Sequence, residues 1–117
     1  MQYLVQMRLS TAGLPTTSED GVAFIEQFIL PTLELCKKLQ TDHKILAGGP
    51  ISGAVALVLI VNAESVQELD DLLTGLPVWP RMETQVTPLT TFDGRALSLR
   101  PRLDHLKAQV PQGDRRK

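Results

Sequence analysis

The chain is expected to fold as an α+β domain in the order βαββαβ, followed by a helical tail. Three observations carry that expectation. At the N-terminus, apolar Tyr3, Val5, Met7 and Leu9 alternate with polar Gln2, Gln6 and Arg8, the period of a half-buried strand. Two stretches, about Glu19–Gln40 and Ser65–Leu76, repeat apolar residues at helical spacing. Between them, Ala54–Val61 is β-branched and aliphatic on both faces, which suits a strand inside a sheet.

Each element follows from its own residues. After the first strand, "STAGLPTTSED" is turn-rich, with Thr17 or Ser18 as the N-cap and acids in the first turn of the helix beyond. In that helix Ile25, Ile29, Leu33 and Cys36 form one stripe, and Phe24, Phe28, Leu35 and Leu39 a second beside it. The apolar face is wider than one sheet needs, so a second surface is expected to meet it. Pro31 disfavours α geometry at Leu30, predicting a kink or a break into two helices. His43–Ala47 reads as a short second strand, and "GGPISG" as a connection whose glycines permit a bulge or sharp hairpin. "SVQE", Ser65–Glu68, is a capping box. Leu69, Leu72, Leu73 and Leu76 supply the stripe of the second helix, with Gly75 as its C-cap, and Pro77 forbids continuation. Arg81–Leu89 then alternates as the fourth strand.

This order is the split βαβ, or ferredoxin-like, arrangement: a four-stranded antiparallel sheet with both helices on one face. The other face is uncovered, and Ala54–Val61 has no polar side to give to water. A symmetric partner covering the sheet is the simplest remedy. Residues 1–94 are expected to form this domain and residues 95–117 a basic tail. In the tail, Leu99, Leu103, Leu106 and Val110 have helical spacing, predicting a helix from about Leu97 to Val110 with Pro101 in its first turn. Its leucines are expected to dock on the dimer partner or on the wide face of the first helix. The closing "PQGDRRK" is expected to be disordered.

Composition narrows the class. A length of 117 residues with 43% apolar and 21% charged residues fits one ordinary globular domain, and few aromatics imply an aliphatic core. The single cysteine, Cys36, excludes an intrachain disulfide and fits a reducing compartment. No basic leader precedes the first strand, and Ala54–Val61 is too short to span a bilayer. A cytoplasmic protein without membrane partners is expected. Residues 1–94 carry five Lys or Arg against eleven Asp or Glu, a net of −6, whereas residues 95–117 carry seven against two, a net of +5. The acidic body argues against nucleic acid as a partner.

"LPVWPRMETQVTPL", Leu76–Leu89, resembles the end of the muconolactone delta-isomerase family, where a Leu-Pro-aliphatic-aromatic-Pro run enters the last strand. "SVQELDDLLTGLP" is similar to that family's second helix and "QYLVQM" to its first strand. The resemblance covers roughly residues 1–90. It implies a small dimeric α/β barrel that needs no metal or other cofactor, in some members assembled into larger rings. It also implies that Pro77, Trp79 and Pro80 set the entry angle of the last strand. Leu4 and Gln6 stand where the family carries a histidine and a lysine, and Pro31 has no counterpart there.

Candidate chemistry centres on the first and last strands. Pairing Gln6 with Gln85 sets Arg8 opposite Glu83 and Leu4 opposite Thr87. Glu83 then reads as a general base for moving a proton α to a carbonyl, with Arg8 binding a carboxylate. The alternative is a cross-strand ion pair worth a few tenths to about 1 kcal/mol. Gln6 and Gln85 would add polar contacts to a ligand. Trp79 either lines a pocket mouth or plugs the gap between sheet and helix, and Phe24 and Phe28 either line a ligand pocket or belong to the core. His43 and His105 have no carboxylate at ligand spacing, so no metal site is expected. Cys36 reads as a buried, inert thiol. Three functions remain open: an isomerase-like enzyme shuttling a proton on a small organic acid or lactone, a cofactor-free oxygenase-like enzyme with an apolar pocket, and a non-catalytic ligand-binding or assembly protein.

Overall fold

The structure, a computed structural model, describes residues 1–111. The disorder expected of the last residues falls mostly on 112–117, outside the described residues. Strands β1 (Gln2–Leu9), β2 (Ile45–Pro50), β3 (Ala56–Asn62) and β4 (Met82–Leu89) form one antiparallel sheet in the order β2-β3-β1-β4. Helices α1 (Ser18–Phe24), α2 (Leu30–Thr41) and α3 (Val66–Thr74) complete the α+β, ferredoxin-like arrangement, and α4 (Phe92–Gln109) follows β4.

The alternation in β1 decides which face is the core. Tyr3, Val5 and Met7 are buried and pair across the ladder with Val61, Leu59 and Leu57 of β3. Phe24, Leu69, Leu73, Leu76 and Val78 close over them from the helical layer. The opposite face carries Leu4, Val58 and Ile60, half-buried, beside exposed Gln2, Gln6 and Arg8. No helix of the described residues is long and apolar enough to cross a membrane.

The interruption expected at Pro31 takes the form of a π turn between two α-helical segments, with Pro31 in the first turn of the second. A π turn at Ile25–Ile29 joins α1 to α2, and the Leu30 N–H bonds the Ile25 carbonyl. The widened turn takes up a proline that has no N–H for the ladder. Thr32 helps on the next residue: its Oγ1 donates to the Phe28 carbonyl at 2.6 Å and accepts the Val78 N–H at 3.1 Å. This hydroxyl, 2% exposed, therefore ties the π turn to the segment that enters β4.

Other boundaries move for local reasons. His43 adopts a φ of 61° in a turn, so β2 begins at Ile45. β2 then runs through the glycines instead of stopping before them. Its register slips between Ile45 and Ala47, and Gly48 adopts a φ of 120°. A Cβ on Gly48 would overlap the Val58 carbonyl oxygen, so the pairing requires glycine there. Ser65 caps α3 by accepting the Glu68 N–H at 3.1 Å. The Glu68 carboxylate reaches back to the Glu64 N–H at 2.8 Å and takes Lys44 Nζ at 2.7 Å, which holds its pKa below the usual carboxylate value.

The tail helix is longer than its leucine spacing indicates. Thr91 Oγ1 accepts the Gly94 N–H at 2.9 Å and starts α4 at Phe92, so Pro101 lies in the helix interior and not in its first turn. No residue of α4 is buried. The helix therefore does not lie on the first helix of its own chain. It projects from the domain, giving overall extents of 72 × 29 × 22 Å.

Candidate functional site

β1 and β4 pair in the register considered above, with Gln6 opposite Gln85, Arg8 opposite Glu83 and Leu4 opposite Thr87. These side chains share one face because every second residue of adjacent antiparallel strands points the same way. Gln6, Arg8, Glu83 and Gln85 line an open depression of about 310 Å³ at one end of the sheet, with Ile51 and Leu57 as apolar neighbours. Arg8 and Glu83 are both exposed, and among the described residues no ion pair joins them. A guanidinium and a carboxylate are thus presented side by side with their hydrogen-bonding capacity unspent on each other. Thr84 borders the same depression, and its Oγ1 is buried without a hydrogen-bond partner among the described residues.

A second cavity, of about 160 Å³, lies on the helical side beside the π turn. Ile29, Leu33, Val55, Val78 and Met82 make its wall aliphatic. Thr32 is its polar member, and the Thr32 hydroxyl is already committed to Phe28 and Val78.

Phe24, Phe28 and Trp79 are not brought to the sheet-end depression. The two phenyl rings lie 6.2 Å apart and are capped by Arg81, whose guanidinium sits 5.0 and 4.9 Å from their centroids. Such cation–π contacts contribute on the order of 0.5–2 kcal/mol each. Arg81 also reaches the Gly13 carbonyl at 3.4 Å and Asp20 Oδ1 at 3.3 Å, and its own carbonyl accepts the Ser10 N–H at 3.0 Å. One side chain thereby clamps the loop after β1 against α1 and the entry to β4. The role of Arg81 is invisible to any spacing rule, because its partners are 68 and 61 residues away. Trp79 stands in a 3₁₀ turn, Trp79–Arg81, and is 40% exposed.

His43 occupies the turn before β2 and His105 lies on α4, where it meets Gln109 at 3.1 Å. Among the described residues no three His, Cys, Asp or Glu side chains are grouped to hold a metal ion. Burial pushes the Cys36 thiol up from its ordinary pKa, the opposite of what a thiolate nucleophile needs.

Residues 1–94 match the family model of muconolactone delta-isomerase. The chain belongs to that family. A crystal structure of muconolactone isomerase superimposes with a TM-score of 0.64 at 27% identity, covering 78% of this chain and 90% of the other. The 5-chloro-2-hydroxyhydroquinone dehydrochlorinase of Burkholderia phenoliruptrix AC1100, solved with 2,5-dihydroxybenzoquinone, shares the fold. Its TM-score is 0.55 at 20% identity, over 80% of this chain and 98% of the other. A search of curated protein sequences gives no match. The muconolactone delta-isomerase match ends at residue 94, so nearly all of α4 lies beyond it.

Proposed function

We propose that this member of the muconolactone delta-isomerase family is a small-molecule enzyme that moves a proton within an organic acid or lactone at the β1–β4 end of the sheet. The observation that carries this reading is the placement of Arg8 and Glu83 opposite each other in one depression without an ion pair between them. Arg8 binds the carboxylate of the substrate, where a charge-assisted hydrogen bond both holds and orients it. The Glu83 carboxylate removes a proton from a carbon next to the carbonyl, and the electron pair passes to the carbonyl oxygen as an enolate. The side-chain amides of Gln6 and Gln85 donate to that oxygen as its charge grows. Protonated Glu83 then returns the proton to a conjugated carbon of the same skeleton, so nothing is oxidised or reduced. A second copy laid over the sheet, covering Leu4, Val58 and Ile60, would roof the depression and exclude water, strengthening each of these contacts.

The aliphatic cavity beside the π turn supports a second reading, an enzyme or binding protein for an apolar ligand, because its walls offer little to a carboxylate. Solvent exchange separates the two. Muconolactone and related lactone acids incubated with the protein in heavy water should gain deuterium on the carbon skeleton. Glu83→Gln should slow that gain by about 10²–10⁴-fold with an unchanged circular dichroism spectrum. Arg8→Met should chiefly raise KM. Equal exchange by wild type and Glu83→Gln removes the assignment and leaves the apolar site as the better one.

A further inference from the structure

The residues of α4 carry a second periodicity that the family match does not reach. Phe92, Ala96, Leu99, Leu103, Leu106 and Val110 follow one another at intervals of four, three, four, three and four residues. That alternation is the a/d seam of helix pairing. All four seam residues from Leu99 to Val110 are exposed, and Arg95, Arg100 and Arg102 take the flanking e and g positions. Two copies of α4 lying side by side would oppose arginine to arginine, so the seam calls for an apolar row with acidic flanks.

The body of the chain presents such a row. On the outer surface of the helix of residues 18–41, Val22, Ile25 and Leu30 are 56%, 50% and 51% exposed. Glu19, Glu26 and Glu34 stand beside them at helical spacing, and all three are exposed. The sign of the charge matches at both scales. Three arginines meet three glutamates locally, and a tail of net +5 meets a body of net −6. Within one chain α4 buries nothing, and the row stays open.

We infer that α4 of one copy docks along the Val22–Ile25–Leu30 row of a second copy, leucine seam on apolar row and arginines on glutamates. The contact is separate from the sheet face and from the Arg8–Glu83 depression. It links copies through their helical layers, so it makes assemblies larger than a sheet-face pair or straps such a pair together.

Charge reversal tests this on the full chain. One variant carries Arg95→Glu, Arg100→Glu and Arg102→Glu; the other carries Glu19→Lys, Glu26→Lys and Glu34→Lys. Circular dichroism establishes that both keep their fold. At micromolar concentration the wild type should protect the amides of 99–106 from hydrogen exchange and lose that protection on dilution. Each variant alone should sediment as a smaller species, and its α4 amides should exchange on the order of tenfold faster or more. Mixing the two should restore both protection and size, because each then offers the sign that the other lacks. Three outcomes contradict the inference. If the Glu-to-Lys variant alone keeps the wild-type assembly, α4 pairs with something other than this row. If the mixture stays dissociated, the contact is not between copies. If the wild type shows no α4 protection but binds vesicles of anionic lipid through its arginines, the tail is a membrane-surface element.

Discussion

The helix of residues 18–41 and the helix α4 each hold an interior proline, and they hold it in different ways. At Pro31 the backbone widens into a π turn, Thr32 bonds back to the Phe28 carbonyl, and Phe24, Phe28 and Leu33 pack on the core. At Pro101 the helix runs on with no buried side chain at all. An interior proline costs about 3 kcal/mol or more in an unsupported helix. In the first helix burial of an apolar face offsets that cost. In α4 nothing within the chain does, which is the physical reason to look for its support in another copy. Helices in proteins are held mainly by the face they bury, with propensity a smaller contribution.

That contrast is open to direct attack. The largest effect should come from Phe24→Ala, which opens a core cavity and removes a face of the Arg81 clamp. It should cost about 3–5 kcal/mol in urea unfolding. Leu103→Ala, an equally apolar position on α4, should change the stability of the dissociated chain by less than about 0.5 kcal/mol. Similar values for the two would mean that α4 is packed within its own chain. Next comes Thr32→Val, which keeps the volume but leaves the buried Val78 N–H unpaired. A loss of about 1–3 kcal/mol is expected, and a silent substitution would show that the π turn needs no such tie. The smallest effects belong to the helix caps. Thr17 accepts the Asp20 N–H at 3.0 Å and Thr91 the Gly94 N–H at 2.9 Å, so the two caps are chemically alike. Thr17→Ala should lower global stability by about 1 kcal/mol. Thr91→Ala should register only as faster amide exchange within α4 and leave the unfolding midpoint of the dilute chain in place.

Much of the fold was legible because its signals are local. Alternation in β1 marked which residues share the uncovered face, and the pairing of Gln6 with Gln85 that places Arg8 opposite Glu83 is the one the sheet adopts. The capping box at Ser65 opened α3 where expected. Less legible were the elements whose conformation depends on distant groups. Pro31 signals an interruption of the helix, but its form, a π turn tied by the Thr32 hydroxyl to Val78, 46 residues away, lies beyond local pattern. The glycines of β2 read as a connection until Gly48 is seen against the Val58 carbonyl. For the candidate site, strand pairing gathered Gln6, Arg8, Glu83 and Gln85 from the sequence alone. Whether Phe24, Phe28 and Trp79 line a pocket or belong to the core was left open by the sequence; Phe24 and Phe28 pack under Arg81, a contact no spacing rule reaches, and Trp79 stands half-exposed in a 3₁₀ turn.

The proton transfer proposed for the β1–β4 end of the sheet competes with ligand binding in the aliphatic cavity beside the π turn. Backbone amide shifts followed by NMR while muconolactone is titrated in give the most direct test, since they read location without requiring turnover. If the proposed site is right, saturable shifts should concentrate at Gln6, Arg8, Glu83 and Gln85 and weaken in Arg8→Met. Shifts confined to Thr32, Leu33 and Val55, unaffected by Arg8→Met, would contradict it.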